Sequence, residues 1–509
     1  MTTTSGPSSL QLMPTRGEVM TTTIPTLPMH IGGEDSVGSA GRFIEAENPA
    51  TGEVIAQFPA GNADDVDAAV AAARDAFPGW SRIDPMQRAR ILNQLADIIV
   101  ENADELAHLD VTDNGSPIRE MRNDAFVGAA QLRYYAGLIL QLRGHTVPTG
   151  QGRLNYSLRQ PWGVVARIIP FNHPFMFAAS KIAAPLAAGN TVVIKPSEFT
   201  SLSALRLGEL AKEVLPDGVF NVVTGYGHEA GDALVAHPDI RRLAFIGSAA
   251  TGRAILRRAA EVSVKHVTLE LGGKNPLVVY PDSDIDIALD AATRGMNFTW
   301  QGQSCGSTSR LIVHKDIYAE FVDRLGAKLD DLTSGSPASE DTDTGAIVSQ
   351  AQMDKVLSYI DVGRDEGARL VAGGSCVSAD GLDAGRFVRP TLFADVDPAS
   401  RLAQEEIFGP VLAAMPFEDY DDAIRIANMV EYGLTASIFT RDLDLAHRFA
   451  HDVEAGYVWV NDVSRHTPGT AFGGFKNSGL GREEDIEELE SYTQSKNVHV
   501  NFGGQRRSE

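Results

Sequence analysis

Cys305 and Glu270 are the side chains best equipped for covalent chemistry in this chain. Cys305 is one of only two cysteines in 509 residues and sits in the run Asn297-Phe-Thr-Trp-Gln-Gly-Gln-Ser-Cys305-Gly. Glu270 belongs to Leu269-Glu270-Leu-Gly-Gly-Lys274. A thiolate that attacks an electrophilic carbon, with a carboxylate that handles protons around it, can make and then break an acyl–enzyme bond. Gly302 and Gly306 leave space around the sulfur, and Gly272 and Gly273 leave a carboxylate room to move. Each residue also has a plainer role: free cysteines are commonly buried and inert, and a glutamate at a strand end is commonly solvated. Asn172 ends the segment Pro161-Trp-Gly-Val-Val-Ala-Arg-Ile-Ile-Pro170-Phe-Asn172. Its side-chain N–H, with the Cys305 backbone N–H, would supply the two donors that a tetrahedral adduct requires. An Asn shortly before Pro174 equally suits a simple turn.

Further segments carry groups suited to a dinucleotide. Ile194-Lys195-Pro196-Ser197-Glu198 closes an apolar run, with a lysine that can donate to ribose hydroxyls and a carboxylate that can accept from them. A solvated, helix-capping loop is the plainer reading of those charges. Phe245-Ile-Gly247-Ser248-Ala-Ala-Thr251-Gly252 opens a helical stretch, where free backbone N–H groups and a hydroxyl suit a pyrophosphate. Gly225-Tyr-Gly227-His-Glu-Ala-Gly231 is glycine-rich but is not the G-x-G-x-x-G fingerprint, and a glycine cluster alone is usually a turn.

Together with Glu406-Ile-Phe408-Gly-Pro410, these motifs resemble the aldehyde dehydrogenase superfamily over residues 43–492. The resemblance implies oxidation of an aldehyde to a carboxylic acid through a Cys305 thiohemiacetal and thioester. Asn172 would hold the oxyanion and Glu270 would activate water. It implies NAD as cofactor, contacted by Ile169, Pro170, Phe171, Lys195, Glu198, Gly227, Gly231, Phe245, Gly247, Ser248, Thr251, Leu271, Glu406 and Phe408. Glu198 would repel a 2′-phosphate and so favour NAD over NADP. No metal is required. Trp300, Phe175, Ser304 and Gly306 are expected to line the substrate tunnel, and Glu483 to assist proton transfer. The chain departs from the family pattern at Ser307, at Trp300 and after Gly481-Arg-Glu483, where a common glycine is missing. The rival readings are a cysteine-dependent ester or thioester hydrolase and a non-catalytic structural relative.

These groups need a scaffold, and the periodicity describes an α/β one. Short β-branched runs at 163–169, 191–194, 219–223, 243–246 and 264–269 alternate with helical stretches at 175–188, 201–214, 230–236 and 252–260. That alternation is the signature of a doubly wound parallel sheet. Upstream, helices are expected at 64–77, after the cap Asp84-Pro85, and at 117–142. The expected organisation is a Rossmann-like cofactor domain (27–143 and 161–273), an α/β catalytic domain (274–477) and small oligomerisation strands (144–160 and 491–505). The Thr-, Ser- and Pro-rich residues 1–26 are expected to be disordered, and Met20 is an alternative start to Met1. A formal charge of −23 argues against nucleic acid or an anionic membrane as partner. Two unpaired cysteines fit a reducing cytosol. A small-molecule aldehyde and further copies of the chain, as a homodimer or homotetramer, are the expected partners.

Overall fold

Uninterrupted β-branched runs can be buried on both faces, which is what a parallel sheet flanked by helices demands. In the computed structural model, which describes residues 24–379 and 381–502, five such runs lie side by side. Their order is Phe220–Val222, Thr191–Lys195, Val164–Ile168, Arg242–Ile246 and His266–Glu270, all parallel. The chain winds outward from Val164–Ile168 in one direction and then in the other. The carboxyl ends on either side of that first strand therefore frame a crevice, the usual ligand position in such sheets. Asn172, Lys195, Gly247 and Glu270 all lie at these ends.

Antiparallel edges complete an eight-stranded sheet. Met29–Ile31 and Glu34–Ser36 extend one side, and Gly479–Leu480 pairs with His266–Glu270 on the other. Glu270 is thus fixed between Ile246 and Gly479. A seven-stranded sheet follows, parallel except for Arg369–Ala372. Its opening strand is Pro276–Val279, and Cys305 lies on the connection between that strand and Arg310–His314. Separate from both, Arg153–Pro161 pairs along its length with Thr493–Asn501 and adds Thr146–Val147.

Several boundaries differ from the sequence reading for local physical reasons. The first long helix, Ala63–Arg82, runs through Pro78, and Trp80, only 1% exposed, anchors the turn beyond the proline in the core. The next helix begins where Asp84 accepts from the Met86 and Gln87 amides, with Pro85 in the first turn. The run expected from residue 264 starts pairing only at His266, because Val264 is 98% exposed. Residues 24–26 are part of the fold: the Gln57 amide donates to the Pro25 carbonyl at 2.9 Å. The rest of the expected disordered tail, the choice of start and residues 503–505 lie outside the described residues. Among the described residues no helix is long and apolar enough to cross a membrane, and no cluster of His, Cys, Asp and Glu is arranged to hold a metal ion.

Candidate active site

Glu270 ends an internal strand and is 4% exposed, yet neither of its carboxylate oxygens has a hydrogen-bond partner among the described residues. A buried, unpaired carboxylate is costly as an anion. Burial and the nearby Glu483 carboxylate accordingly raise the Glu270 pKa well above the ordinary value. Space beside it comes from Gly473, where an added Cβ would sit 3.0 Å from Glu270 Oε1. The Gly247 amide donates to the Glu270 carbonyl at 3.0 Å, tying the glycine loop to the same strand end.

Cys305 lies on a loop bent by left-handed residues, Asn297, Gln301 and Gly302 (φ between 53° and 65°). Asn275, at the head of the neighbouring strand, holds the loop by donating to the Cys305 carbonyl at 2.8 Å and the Ser307 carbonyl at 2.9 Å. The Cys305 thiol is half-buried. Loss of solvent, followed by the Glu406 and Glu270 carboxylates, pushes its pKa up to about 12. With both groups raised, the Cys305–Glu270 pair carries at most one negative charge near neutral pH. Cys376, the other free cysteine, is exposed.

Asn172 is buried at the end of the first parallel strand, one residue before the helix cap His173. Its neighbours bind it to the rest of the site. The Phe171 carbonyl accepts from Asn114 Nδ2 at 2.7 Å, and the Phe171 ring lies 5.6 Å from Phe408. On the other side, the His173 ring lies 5.2 Å from Trp300, on the Cys305 loop.

Most of the residues assigned to a dinucleotide line the crevice. Lys195 Nζ is buried, donates to the Pro196 and Gly225 carbonyls at 2.6 and 2.8 Å, and lies 3.7 Å from Glu198 Oε2. A Cβ on Gly231 would meet Lys195 Cε at 3.5 Å, so the turn Gly227–Gly231 closes directly over that lysine. Ser248 caps the helix Ala249–Val262 by accepting from the Thr251 amide at 3.2 Å, and its hydroxyl also meets the Thr251 hydroxyl at 2.9 Å. Glu406 accepts from the Gly273 amide at 3.0 Å and packs against Gly272, where a Cβ would collide with it. Phe408 has a left-handed backbone (φ 58°), held by Gln352 donating to its carbonyl at 2.7 Å. Pro170 sits between the strand end and Phe171, partly exposed.

Some expected contacts take another position. Ile169, Phe245 and Leu271 turn their side chains into apolar cores. The Ile169 and Leu271 amides are bonded to the Lys195 and Ser478 carbonyls. Phe175 is completely buried, and its amide donates to Asp110 Oδ2 at 3.0 Å. It therefore does not line a tunnel.

The sequence reading missed a buried ionic cluster behind Glu270. Glu483 receives Arg167 Nη1 and Lys181 Nζ at 2.8 Å each, and Arg167 also donates to the Tyr492 hydroxyl at 2.7 Å. These two cations hold the Glu483 carboxylate ionised, its pKa far below the usual range despite burial. Glu483 is close enough to act on Glu270 through its field. Arg167 and Lys181 interrupt an apolar strand and an apolar helix. A charge in such a run requires a buried partner, and that signal was present in the sequence.

This geometry agrees with what is known of similar proteins. The family model described as the aldehyde dehydrogenase family matches residues 37–498. Aldehyde dehydrogenase tropH of Talaromyces stipitatus is 46% identical over 467 residues, covering 90% of each chain. The crystal structure of PnpE from Pseudomonas sp. WBC-3 in complex with nicotinamide adenine dinucleotide is 43% identical, with TM-score 0.92 over 94% of this chain and 98% of that one. The NAD+ complex of an aldehyde dehydrogenase from Bacillus cereus is 40% identical, with TM-score 0.91 over 94% of this chain and 96% of that one. With a matched model over most of its length and relatives at these identities, the chain belongs to the aldehyde dehydrogenase family.

Proposed function

We propose that the chain oxidises an aldehyde to a carboxylic acid with reduction of NAD, and that Cys305, Glu270 and Asn172 carry the chemistry. The observation that supports this most directly is the unsatisfied Glu270 carboxylate beside the Cys305 thiol. A buried carboxylate with both oxygens unbonded would be a liability in a purely structural core, and a half-buried free thiol lies near it. Cys305 reacts as the thiolate, its proton passing to solvent, which leaves Glu270 free to act later as the base. The thiolate attacks the aldehyde carbon, and Asn172 Nδ2 with the Cys305 N–H donates to the resulting alkoxide. NAD, when bound, supplies the hydride acceptor. Oxidation leaves an acyl group on Cys305. Glu270 then takes a proton from water as its oxygen attacks, releasing the acid and restoring the thiolate. Absorbance of NADH on mixing the protein with NAD and a panel of aldehydes tests the assignment, and hydrolysis of esters with no NADH formed would favour the hydrolase reading.

The crevice fits the cofactor: a lysine–carboxylate pair, a capped helix N-terminus and glycines that admit backbone approach all lie at the carboxyl ends of parallel strands. Lys195 and Glu198 would hold the adenosine ribose, Ser248 and the helix opening at Ala249 the pyrophosphate, and Glu406 with Phe408 the nicotinamide ribose. Because Glu198 is a carboxylate, kcat/KM with NAD is expected to exceed that with NADP by at least roughly tenfold, about the effect of one uncompensated charge repulsion. Glu198→Gln should narrow the gap by helping NADP. Equal use of the two cofactors by the unaltered enzyme would remove Glu198 from this role.

The active form is a cytosolic homodimer or homotetramer. Support comes from the three-stranded sheet, which leaves Val147, Leu154 and Leu158 exposed. A groove of about 590 Å³ lined by Leu256, Val264 and Leu480 at the edge of the large sheet adds to it. Apolar surface of this kind is covered in most soluble proteins. Size-exclusion chromatography with light scattering on the cytosolic fraction reads both points, and a monomer would refute the assembly.

A further inference from the structure

Phe175, expected beside the substrate, is in the core. His173, directly after Asn172, stands by the reacting groups instead, with its ring 5.2 Å from Trp300 and 5.6 Å, edge to face, from Phe177. Its side chain is 13% exposed and Asp124 is 3% exposed, and Nδ1 lies 2.8 Å from Asp124 Oδ2. A carboxylate on Nδ1 draws the ring proton to that nitrogen, which leaves Nε2 as an acceptor. No group among the described residues bonds Nε2, and it is not sealed among the buried unbonded atoms. It therefore keeps accessible surface on the residue next to Asn172.

Two features of the surroundings narrow what it accepts. Asp110 and Glu120 join Asp124 around His173, and Arg119 and Lys181 are the cations nearby. Burial and Asp124 raise the Glu120 pKa, the sign of a setting that resists further negative charge. A substrate carboxylate is disfavoured there, whereas a hydroxyl is not. On the Glu270 side, Phe472 precedes Gly473, the residue that makes room for the carboxylate, and belongs to an aromatic cluster. Its ring lies 4.8 Å from His466 and 6.0 Å from Tyr457, and Tyr457 lies 4.7 Å from Trp459. Aromatic rings next to both the Asn172 and the Glu270 segments suit a flat, unsaturated ligand.

We propose, on the reading that the chain oxidises aldehydes, that its preferred substrates are flat aromatic or conjugated aldehydes carrying a hydroxyl that donates to His173 Nε2. His173 and Asp124 are then specificity-determining residues. The test compares kcat/KM of the full-length enzyme with NAD for benzaldehyde and for its meta- and para-hydroxy, methoxy and carboxy derivatives. At one ring position the hydroxyl compound is expected to exceed both benzaldehyde and the methoxy compound by about tenfold, the worth of one hydrogen bond, with the carboxy compound below all three. His173→Phe should bring the hydroxyl-to-methoxy ratio close to one. His173→Gln, whose amide oxygen still accepts, should retain part of it, and Asp124→Asn should weaken it. A wild-type ratio near one at both positions overturns the proposal whether or not any variant folds. So does an unchanged ratio in His173→Phe, or a preference for the carboxy compound. Absence of NADH with every aldehyde, hexanal included, is a different failure: it removes the underlying oxidation and not merely its specificity.

Discussion

Cys305→Ala is expected to lower NAD-dependent aldehyde oxidation by roughly 10⁴-fold or more, the scale on which removing a covalent nucleophile acts. The methyl group that remains cannot form an adduct, and no other thiol is near, since Cys376 lies exposed on another part of the catalytic sheet's surroundings. The loop should keep its shape. Asn275 grips the backbone carbonyls of Cys305 and Ser307, not the sulfur, and removing one half-buried sulfur costs about 1 kcal/mol of stability. NAD affinity is expected to be nearly unchanged, because Lys195, Glu198, Ser248 and Glu406 reach the crevice from other elements. Steady-state NADH formation and calorimetric titration with NAD measure the two quantities separately. Turnover by the alanine variant at a rate comparable to the unaltered enzyme would sink covalent catalysis, and loss of both activity and NAD binding would show a damaged fold instead.

How much of this was legible in the sequence depended on how local each signal is. The parallel sheet was legible because its strands are unbroken apolar runs of the right length, and burial on both faces leaves no polar alternation to confuse them. Cys305, Glu270 and Lys195 could be singled out because each sits in a short motif with glycine or proline beside it. Phe175 was expected at the tunnel because residue type alone favours an aromatic ring as substrate wall. The turn of Pro174–Ala187 decides otherwise, sending Phe175 inward. The partners of Arg167 lie more than 300 positions away, at Glu483 and Tyr492, and no local pattern joins them. The same holds for Gly479–Leu480, which extends the cofactor sheet from the far end of the chain. The left-handed residues Asn297 and Gln301 also carried little signal, since neither is a glycine and the shape they impose follows from packing around Cys305.

Glu270→Gln should separate the two halves of the reaction. A glutamine keeps the size of the side chain but cannot take a proton from water, so acyl transfer from Cys305 to water is expected to slow by about 10²–10⁴-fold, the usual worth of a general base. Rapid mixing with NAD and aldehyde should then give a burst of about one NADH per active site followed by little steady turnover. The pH dependence follows from the raised pKa. Glu270 works as a base only when ionised, and burial together with the Glu483 carboxylate holds its proton on to higher pH than an ordinary glutamate. Acyl hydrolysis by the unaltered enzyme should therefore rise with pH through that raised value and level off above it, and the variant should lose this rise. If Glu270 mainly deprotonates Cys305, whose thiol is pushed up to about 12, the burst disappears along with the steady rate. A burst that persists assigns Glu270 to water. A steady rate of the unaltered enzyme that depends on added coenzyme A would mean that the acyl group leaves to a thiol, which removes hydrolysis from the cycle altogether.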